Sequence, residues 1–138
     1  MEKKATIHTD GGARGNPGPA GIGAVIEISG QKYNFKEYIG HATNNQAEYK
    51  AVILALQKAK ELGVEEIDLF LDSELVQQQL NQKYKVKNND LAQLFVKVWN
   101  LSAAFKKIKY VHIKRNDNRE ADKLVNQAID AGLTDRGC

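Results

Sequence analysis

The chain has 138 residues, of which 42% are hydrophobic and 27% are charged, and its formal net charge at pH 7 is +3. This composition is typical of a folded soluble domain and excludes intrinsic disorder, and no apolar run approaches the roughly 18 residues of a membrane span. The single cysteine, Cys138, excludes a disulfide framework and a cysteine zinc site. Charged residues without an apolar core behind them begin the chain, so we expect no export signal and a cytoplasmic location. We expect one domain over residues 1–138.

The N-terminal third predicts an antiparallel meander of three strands. Alternating apolar and polar residues indicate strands over Ala5–Asp10, Gly21–Ile28 and Lys32–Ile39. Residues 11–19 separate the first two strands and contain four glycines and two prolines. We expect this segment to be a loop that belongs to neither a helix nor a central strand.

From residue 44 onward the apolar period changes from two to about 3.6, which indicates helices alternating with strands. The predicted elements are a helix from Asn44 or Asn45 to Leu62, the strand Ile67–Asp72 buried on both faces, a helix capped by Ser73, a helix opened by Asn89 or Asp90 that carries Trp99 in the core, the strand Ile108–Lys114, and a helix capped by Asp117 or Asn118 that ends near Gly132. The order predicts a mixed sheet of about five strands with helices on its faces. In such sheets the functional site lies beyond the carboxyl ends of the parallel strands.

Four acidic residues lie where solvent exposure is not expected. Asp10 and Asp72 end predicted strands, and Glu48 and Asp122 are in line with the apolar stripes of their helices. Each has an ordinary explanation by itself, as a turn residue or as an acid near a helix N-terminus. Together they would converge on one sheet edge, where repulsion and desolvation require a positive charge. An all-oxygen ligand set favours Mg²⁺, with Mn²⁺ as the alternative, over Zn²⁺.

Four segments carry a resemblance to a known family: Thr9–Gly12 with Gly15–Gly21, Thr43–Tyr49, Asp72-Ser73, and Asn118–Asp122. On these segments the chain resembles a type 1 ribonuclease H over nearly its whole length. The resemblance implies an α/β ribonuclease H-like fold, with a five-stranded mixed sheet in the order 3-2-1-4-5, strand 2 antiparallel, and helices on both faces. It also implies an endoribonuclease that cleaves the RNA strand of RNA–DNA hybrids with two Mg²⁺ ions and leaves 5′-phosphate and 3′-hydroxyl ends.

The resemblance implies specific roles for the four carboxylates. Asp10 would bridge both ions, Glu48 and Asp72 would help hold the ion beside the leaving 3′ oxygen, and Asp122 would help hold the ion that activates water. The positions that match the family's substrate contacts are Gly11, Gly12, Gly15, Asn16, Thr43, Asn44, Asn45, Gln46 and Ser73. The asparagines and Gln46 fall where the family reads sugars and minor-groove edges, and only RNA presents a 2′-hydroxyl there. A turn residue at Asn16 and helix caps at Asn44, Asn45 and Ser73 remain alternatives.

The chain departs from the family pattern in two places. The segment Lys114–Asn118 is too short for the histidine-bearing loop of many bacterial relatives, and we hypothesise that Arg115 partly substitutes by contacting the phosphate. The basic helical protrusion of some relatives is reduced to residues 81–89, where Lys83, Lys85 and Lys87 form either a solvated loop or a DNA phosphate contact. Other functions that remain open are a non-catalytic hybrid-binding module and another metal-dependent nuclease of the same fold. We expect a monomer with an RNA–DNA hybrid as its partner, no membrane contact and no obligate protein partner.

Overall fold

A computed structural model describes residues 3–82 and 85–136, with side chains through Thr134. Lys83 and Tyr84 of the predicted basic link lie outside these ranges. The described elements are, in chain order, β1 (Lys4–Ala13), β2 (Gly18–Ile28), β3 (Gln31–Ala42), α1 (Asn44–Glu61), β4 (Glu66–Leu71), α2 (Glu74–Leu80), α3 (Asn89–Ser102), β5 (Lys107–His112), a 3-10 turn (Arg115–Asp117) and α4 (Arg119–Arg136). Within the described ranges, no helix has the length and apolar character to cross a membrane.

The five strands form one mixed sheet in the order β3-β2-β1-β4-β5, as predicted. β2 runs antiparallel to β1 and β3, whereas β4 runs parallel to β1 and β5. The last residue pair between β1 and β4 is Thr9 with Leu71. Asp10 and Asp72 are the residues that follow this pair, so both carboxylates lie at the edge where β4 ends and β1 continues beside β2 alone.

Helices cover both faces of the sheet, and two adjacent glycines of β1 show which helix lies on which face. A Cβ on Gly11 would lie 2.2 Å from the carbonyl oxygen of Ala47 in α1, whereas a Cβ on Gly12 would point towards Val125 of α4, at 3.8 Å. Successive strand residues face opposite sides of a sheet. The main hydrophobic core therefore fills the α1 face, and its largest members include Ile7, Leu56, Leu69 and Val98.

The glycine-rich segment is more ordered than its composition suggests. The central strand β1 continues through Gly11 and Gly12 to Ala13, and β2 begins at Gly18, so only residues 14–17 remain as the turn. The expectation that the whole of residues 11–19 is a loop was wrong. The glycines serve close packing, since a side chain on Gly11 would collide with the α1 backbone, and the ladder to β2 needs no side chain at that position.

Two predictions about burial were also wrong. β4 is buried only on alternate residues, because α4 covers β1 to β3 and leaves Asp68 and Phe70 half-exposed. Trp99 is 55% exposed, stacked on Phe95 at a ring-centroid distance of 6.3 Å. The inward side of α3 is formed by Leu91, Leu94 and Val98.

The helix boundaries agree with the prediction for α2 and differ at three other ends. Ser73 caps α2 as predicted. Thr43 rather than Asn44 or Asn45 caps α1, and Asn88 rather than Asn89 or Asp90 caps α3. α4 continues past Gly132 to Arg136. Gly132 therefore has a packing role and is not a helix stop: a Cβ at this position would lie 2.2 Å from the ring of Tyr38.

Candidate active site

Three carboxylates meet at the sheet edge where β1 and β4 separate. Each of Asp10, Glu48 and Asp72 has a carboxylate oxygen within 4.8 Å of one from the other two. Asp10 and Glu48 are only 7% and 6% exposed, and Asp72 is half-buried. The backbone N–H of Gly11 donates to Asp10 Oδ1 at 3.0 Å and is 3.2 Å from Glu48 Oε1. The close contact of Gly11 with α1 thus brings the strand-end carboxylate and the helix carboxylate to one backbone donor.

Burial makes this cluster costly to ionise. The pKa of Asp10 is raised from 3.8 to about 7, mainly by desolvation; a hydrogen bond from Glu48 lowers it, and the negative charges of Asp72 and Asp122 raise it. The pKa of Glu48 is also raised well above its ordinary value, mainly by burial and then by the charge of Asp10. The protein alone therefore holds protons in the cluster near neutral pH.

The cluster has the donor chemistry of a hard divalent cation site. Its ligands are all oxygens, which suit Mg²⁺ or Mn²⁺. Glu48 Oε2 is buried and has no hydrogen-bond partner among the described residues. A buried carboxylate oxygen without a partner carries a desolvation cost that a bound cation removes. The residues present therefore fit the metal that the sequence predicts.

Asp122 lies in the same cleft but outside the three-carboxylate cluster. It sits in the first turn of α4, its side chain is 33% exposed, and its Oδ1 is 3.7 Å from a guanidinium nitrogen of Arg115. Asp122 is close enough for its charge to act on Asp10. The cluster of three thus contains two buried carboxylates and the half-buried Asp72, and the fourth carboxylate, Asp122, is half-buried beside an arginine.

The cleft around these carboxylates has a volume of about 490 Å³. Of the predicted substrate-contact residues, those that line it are Gly11, Gly12, Asn44, Asn45, Ser73 and Arg115. Asn44 Oδ1 accepts a hydrogen bond from the backbone N–H of Ala13, which ties the start of α1 to the end of β1.

A second, smaller groove of about 250 Å³ lies beside the first and contains most of the remaining predicted contacts. It is lined in part by Asn16, Thr43, Asn45 and Gln46, so Asn45 borders both spaces. Thr43 and Gln46 form a capping box in which each side-chain oxygen accepts the other residue's backbone N–H, at 3.1 and 2.9 Å. Asn16 Oδ1 accepts from the backbone N–H of Asn44. Gly15 lines neither space and has a φ of +89° in the turn before β2.

Two residues of the cleft region were missed by sequence reasoning. Arg14 lines the cleft, with its guanidinium 2.7 Å from Asp130 and 3.4 Å from Asn126 on α4. Asn118, expected as a helix cap, is 1% exposed and donates through Nδ2 to the carbonyl of Thr9 and to Asp72. The sequence signal for Asn118 was its place in the segment Asn118–Asp122 that resembles the family. Its contacts with Thr9 and Asp72 join residues far apart in the chain and produce no local sequence pattern.

A mixed sheet in this order, with carboxylates from β1, α1, the end of β4 and α4 at one edge, defines the ribonuclease H-like class. A family model described as "Reverse transcriptase-like" matches residues 8–128. The chain is 44% identical over 131 residues to a bifunctional protein of Mycobacterium tuberculosis, covering 93% of this chain and 36% of that protein. The chain thus spans about a third of the length of that curated relative.

Solved structures are similar over almost the whole chain. The N-terminal ribonuclease H domain of a Mycobacterium tuberculosis protein, solved as a fusion with maltose-binding protein, is 41% identical with a TM-score of 0.93, over 98% of this chain and 99% of that chain. LC11-RNase H1, isolated from compost by a metagenomic approach, was solved in complex with an RNA/DNA hybrid; it is 43% identical with a TM-score of 0.89, over 94% and 99% of the two chains. The chain belongs to the type 1 ribonuclease H family.

Proposed function

We propose that this chain is an endoribonuclease that hydrolyses the RNA strand of RNA–DNA hybrids with divalent metal ions. The observation that carries the proposal is the cluster of Asp10, Glu48 and Asp72, which lies in an open cleft and pairs with no cationic side chain among the described residues. A similar chain has been solved with an RNA/DNA hybrid, which supports the hybrid as the substrate class. A protein that only bound hybrids would gain nothing from buried negative charge facing phosphates, which argues against the non-catalytic alternative.

In this proposal Asp10, Glu48, Asp72 and Asp122 hold two Mg²⁺ ions. Bound divalent ions supply a nucleophilic water at neutral pH and neutralise charge on the entering and leaving oxygens of an in-line displacement. The residues of the chain hold the carboxylates at the end of a rigid sheet, keep Asp10 and Glu48 from bulk water, and orient both with the N–H of Gly11. The expected products carry 5′-phosphate and 3′-hydroxyl ends.

Selectivity for RNA is proposed to come from the asparagines beside the cleft. The 2′-hydroxyl is both a donor and an acceptor in a wide, shallow minor groove. Asn44 and Asn45 line the cleft next to the carboxylates, and the side-chain oxygens of Asn16 and Asn44 are already used to fix the loop and α1 relative to each other. Fixed amide groups at this position suit the recognition of a sugar hydroxyl.

The test compares end-labelled RNA–DNA hybrid, RNA duplex and DNA duplex, each with Mg²⁺, Mn²⁺ or chelator. We expect internal cuts in the RNA strand of the hybrid only, and only with metal. Products should prime a DNA polymerase, because they end in a 3′-hydroxyl. Cleavage of the DNA duplex at a similar rate would favour another metal-dependent nuclease of the same fold.

Asp10→Asn is the decisive variant, with Asp68→Asn as its matched control. Asp68 is a carboxylate of β4 that pairs with Lys4 away from the cleft. We expect Asp10→Asn to reduce hybrid cleavage by several orders of magnitude while hybrid binding stays measurable, and Asp68→Asn to cleave like the wild type. Full activity of Asp10→Asn would contradict the proposal. The single domain over residues 1–138, the monomeric state and the cytoplasmic location stay predictions of the sequence.

A further inference from the structure

Asn118 connects three parts of the chain that are distant in sequence. Its Nδ2 donates to the backbone carbonyl of Thr9 at 2.8 Å and to Asp72 Oδ2 at 3.0 Å. Thr9 is the last residue of β1 that pairs with β4, and Asp72 is the first residue after β4. The amide therefore sits in the gap that opens where the two strands diverge, directly behind the carboxylate cluster.

The orientation of this amide is fixed by its partners. Both atoms that it contacts through Nδ2 are acceptors, so the nitrogen must face them and the oxygen must face away. Asn118 Oδ1 is buried and has no hydrogen-bond partner among the described residues. A buried polar atom without a partner destabilises the folded protein. The side chain is held in this orientation although its own oxygen is left unsatisfied.

Helix capping does not account for this side chain. A capping asparagine uses its side-chain oxygen to accept a backbone N–H of the first helical turn. Here the residue precedes α4, and its backbone carbonyl accepts from the N–H of Asp122, but the side-chain oxygen accepts nothing. The donor group points to Thr9 and Asp72 instead. The geometry favours the contact with the acidic cluster over the local contact with the helix.

We propose that Asn118 is a positioning residue for Asp72. Its amide holds one carboxylate oxygen of Asp72 against the end of β1, so that the other oxygen is directed into the cluster with Asp10 and Glu48. The same amide fixes the start of α4, and therefore Asp122, relative to β1. The role rests on the proposed metal-dependent function and acts through Asp72, without contact between Asn118 and the substrate.

The experiment separates positioning from capping with Asn118→Ser, because serine caps helices as well as asparagine but is too short to reach both partners. Asn118→Ala is the second variant, and Asn116→Ala, at an exposed position in the same segment, is the matched control. Each protein is checked for folding by thermal unfolding and titrated with Mg²⁺ by calorimetry in the absence of substrate. The titrations are repeated on an Asp72→Ala background.

We expect Asn118→Ser and Asn118→Ala to weaken Mg²⁺ binding by about 10- to 100-fold, which is typical for loss of a group that orients a metal ligand. Asn116→Ala should bind Mg²⁺ like the wild type. On the Asp72→Ala background the effect of Asn118→Ser should shrink to less than about twofold, because the residue through which Asn118 acts is gone. In hybrid cleavage, higher Mg²⁺ should restore most of the turnover.

Two results would overturn the inference. One is wild-type Mg²⁺ affinity in Asn118→Ser, and the other is an equal loss on both Asp72 backgrounds, which would mean that Asn118 does not act through Asp72. The titrations contain no nucleic acid, so they are decided separately from the proposed function. If the wild type binds Mg²⁺ but does not cleave the hybrid, the nuclease proposal is contradicted. The titrations would still decide whether Asn118 acts through Asp72.

Discussion

Negative charge is stabilised differently on the two sides of the cleft. We call the side formed by Asp10 of β1 and Glu48 of α1 the strand side, and the side formed by Asp122 and its neighbours the α4 side. On the strand side, Asp10 and Glu48 are almost completely buried, share one backbone donor and have no cation from the protein among the described residues. On the α4 side, Asp122 is one-third exposed and lies near Arg115, and Arg14 is paired with Asp130 further along the helix. The strand side therefore depends on an added cation, whereas the α4 side is already screened by water and arginines.

We therefore expect the strand side to contribute most to metal binding and the α4 side to contribute to contact with the substrate. Buried carboxylates without a neighbouring cation destabilise the metal-free protein, and a bound cation therefore gains a large free energy of binding. Exposed carboxylates beside arginines cost little and leave positive groups at the rim where phosphates would lie. The four carboxylates are thus unequal, and their substitutions should have different effects.

The largest difference is expected in the stability of the metal-free protein. The pKa of Asp10 is about 7 in the folded state and 3.8 without burial, so between these pH values the folded state keeps a proton that the unfolded state has released. The free energy of unfolding therefore falls as pH rises from 3.8 to about 7 and does not recover above it. Asp10→Asn should raise it by about 2–4 kcal/mol at alkaline pH in chelator.

Denaturant unfolding of the wild type, Asp10→Asn and Asp122→Asn on both sides of this pH range measures the effect. Asp122→Asn should change the free energy of unfolding by less than about 0.5 kcal/mol, because its side chain is partly hydrated. With excess Mg²⁺ the wild type should become more stable than Asp10→Asn. Destabilisation by Asp10→Asn in chelator at high pH would contradict the claim that the buried Asp10 carboxylate destabilises the metal-free protein.

The next effect is the pH dependence of metal binding. Mg²⁺ binds ionised carboxylates, and the pKa values of Asp10 and Glu48 are raised, so binding must displace protons near and below pH 7. We expect the affinity to fall about tenfold per pH unit for each proton displaced as the pH is lowered. Calorimetry in buffers with different heats of ionisation counts the protons released. A constant affinity across this range would contradict the burial-based account.

A smaller effect is expected from the arginine on the α4 side. Arg115→Ala should lower the turnover of hybrid cleavage more than it lowers Mg²⁺ affinity, because Arg115 is 80% exposed and lies beside Asp122 rather than the buried cluster. The measurement is kcat at saturating Mg²⁺ together with the Mg²⁺ dissociation constant, with Arg119→Ala as an exposed arginine control. An unchanged kcat would exclude the proposed phosphate contact.

The smallest effect is expected at the outer end of the α4 side. Asp130→Asn removes the partner of Arg14, and both side chains are substantially exposed. The free energy of unfolding should fall by less than about 1 kcal/mol, and by less still at high salt. Thermal unfolding at two salt concentrations checks this. A loss of several kcal/mol would show that this ion pair is structural and that charge pairing on the α4 side is not screened by water.

Much of the fold could be predicted because it follows from patterns within single elements. The ends of parallel strands must meet at one edge, so Asp10 and Asp72 could be placed together, and the buried stripe of α1 placed Glu48 on the inward side. The extent of β1 could not be predicted, because glycines at a collision point with a helix look the same in sequence as glycines in a loop. The exposure of Trp99 was predicted wrongly because Trp99 lies beside the inward stripe of Leu91, Leu94 and Val98 and not on it.

The residue types of the candidate site could be predicted from the sequence, but the burial and the hydrogen-bond partners of each residue could not. Sequence reasoning gave the four carboxylates different roles on the metal ions but no difference in burial, whereas in the structure Asp10 and Glu48 are almost completely buried and Asp72 and Asp122 are half-buried. The contact of Asn118 with Thr9 joins residues 109 positions apart. A helix-capping residue and a long-range donor have the same local sequence signature, and only the packed structure distinguishes them.

The contact between Gly11 and the Ala47 carbonyl limits which substitutions the site tolerates. Even a methyl group at position 11 would push the first turn of α1 away from the sheet and carry Glu48 with it. The distance between the two halves of the acidic centre is therefore set by main-chain atoms, and no choice of side chain can adjust it. A change of metal preference would therefore have to come from exchanging the ligand side chains, because the backbone spacing between β1 and α1 is fixed by this contact.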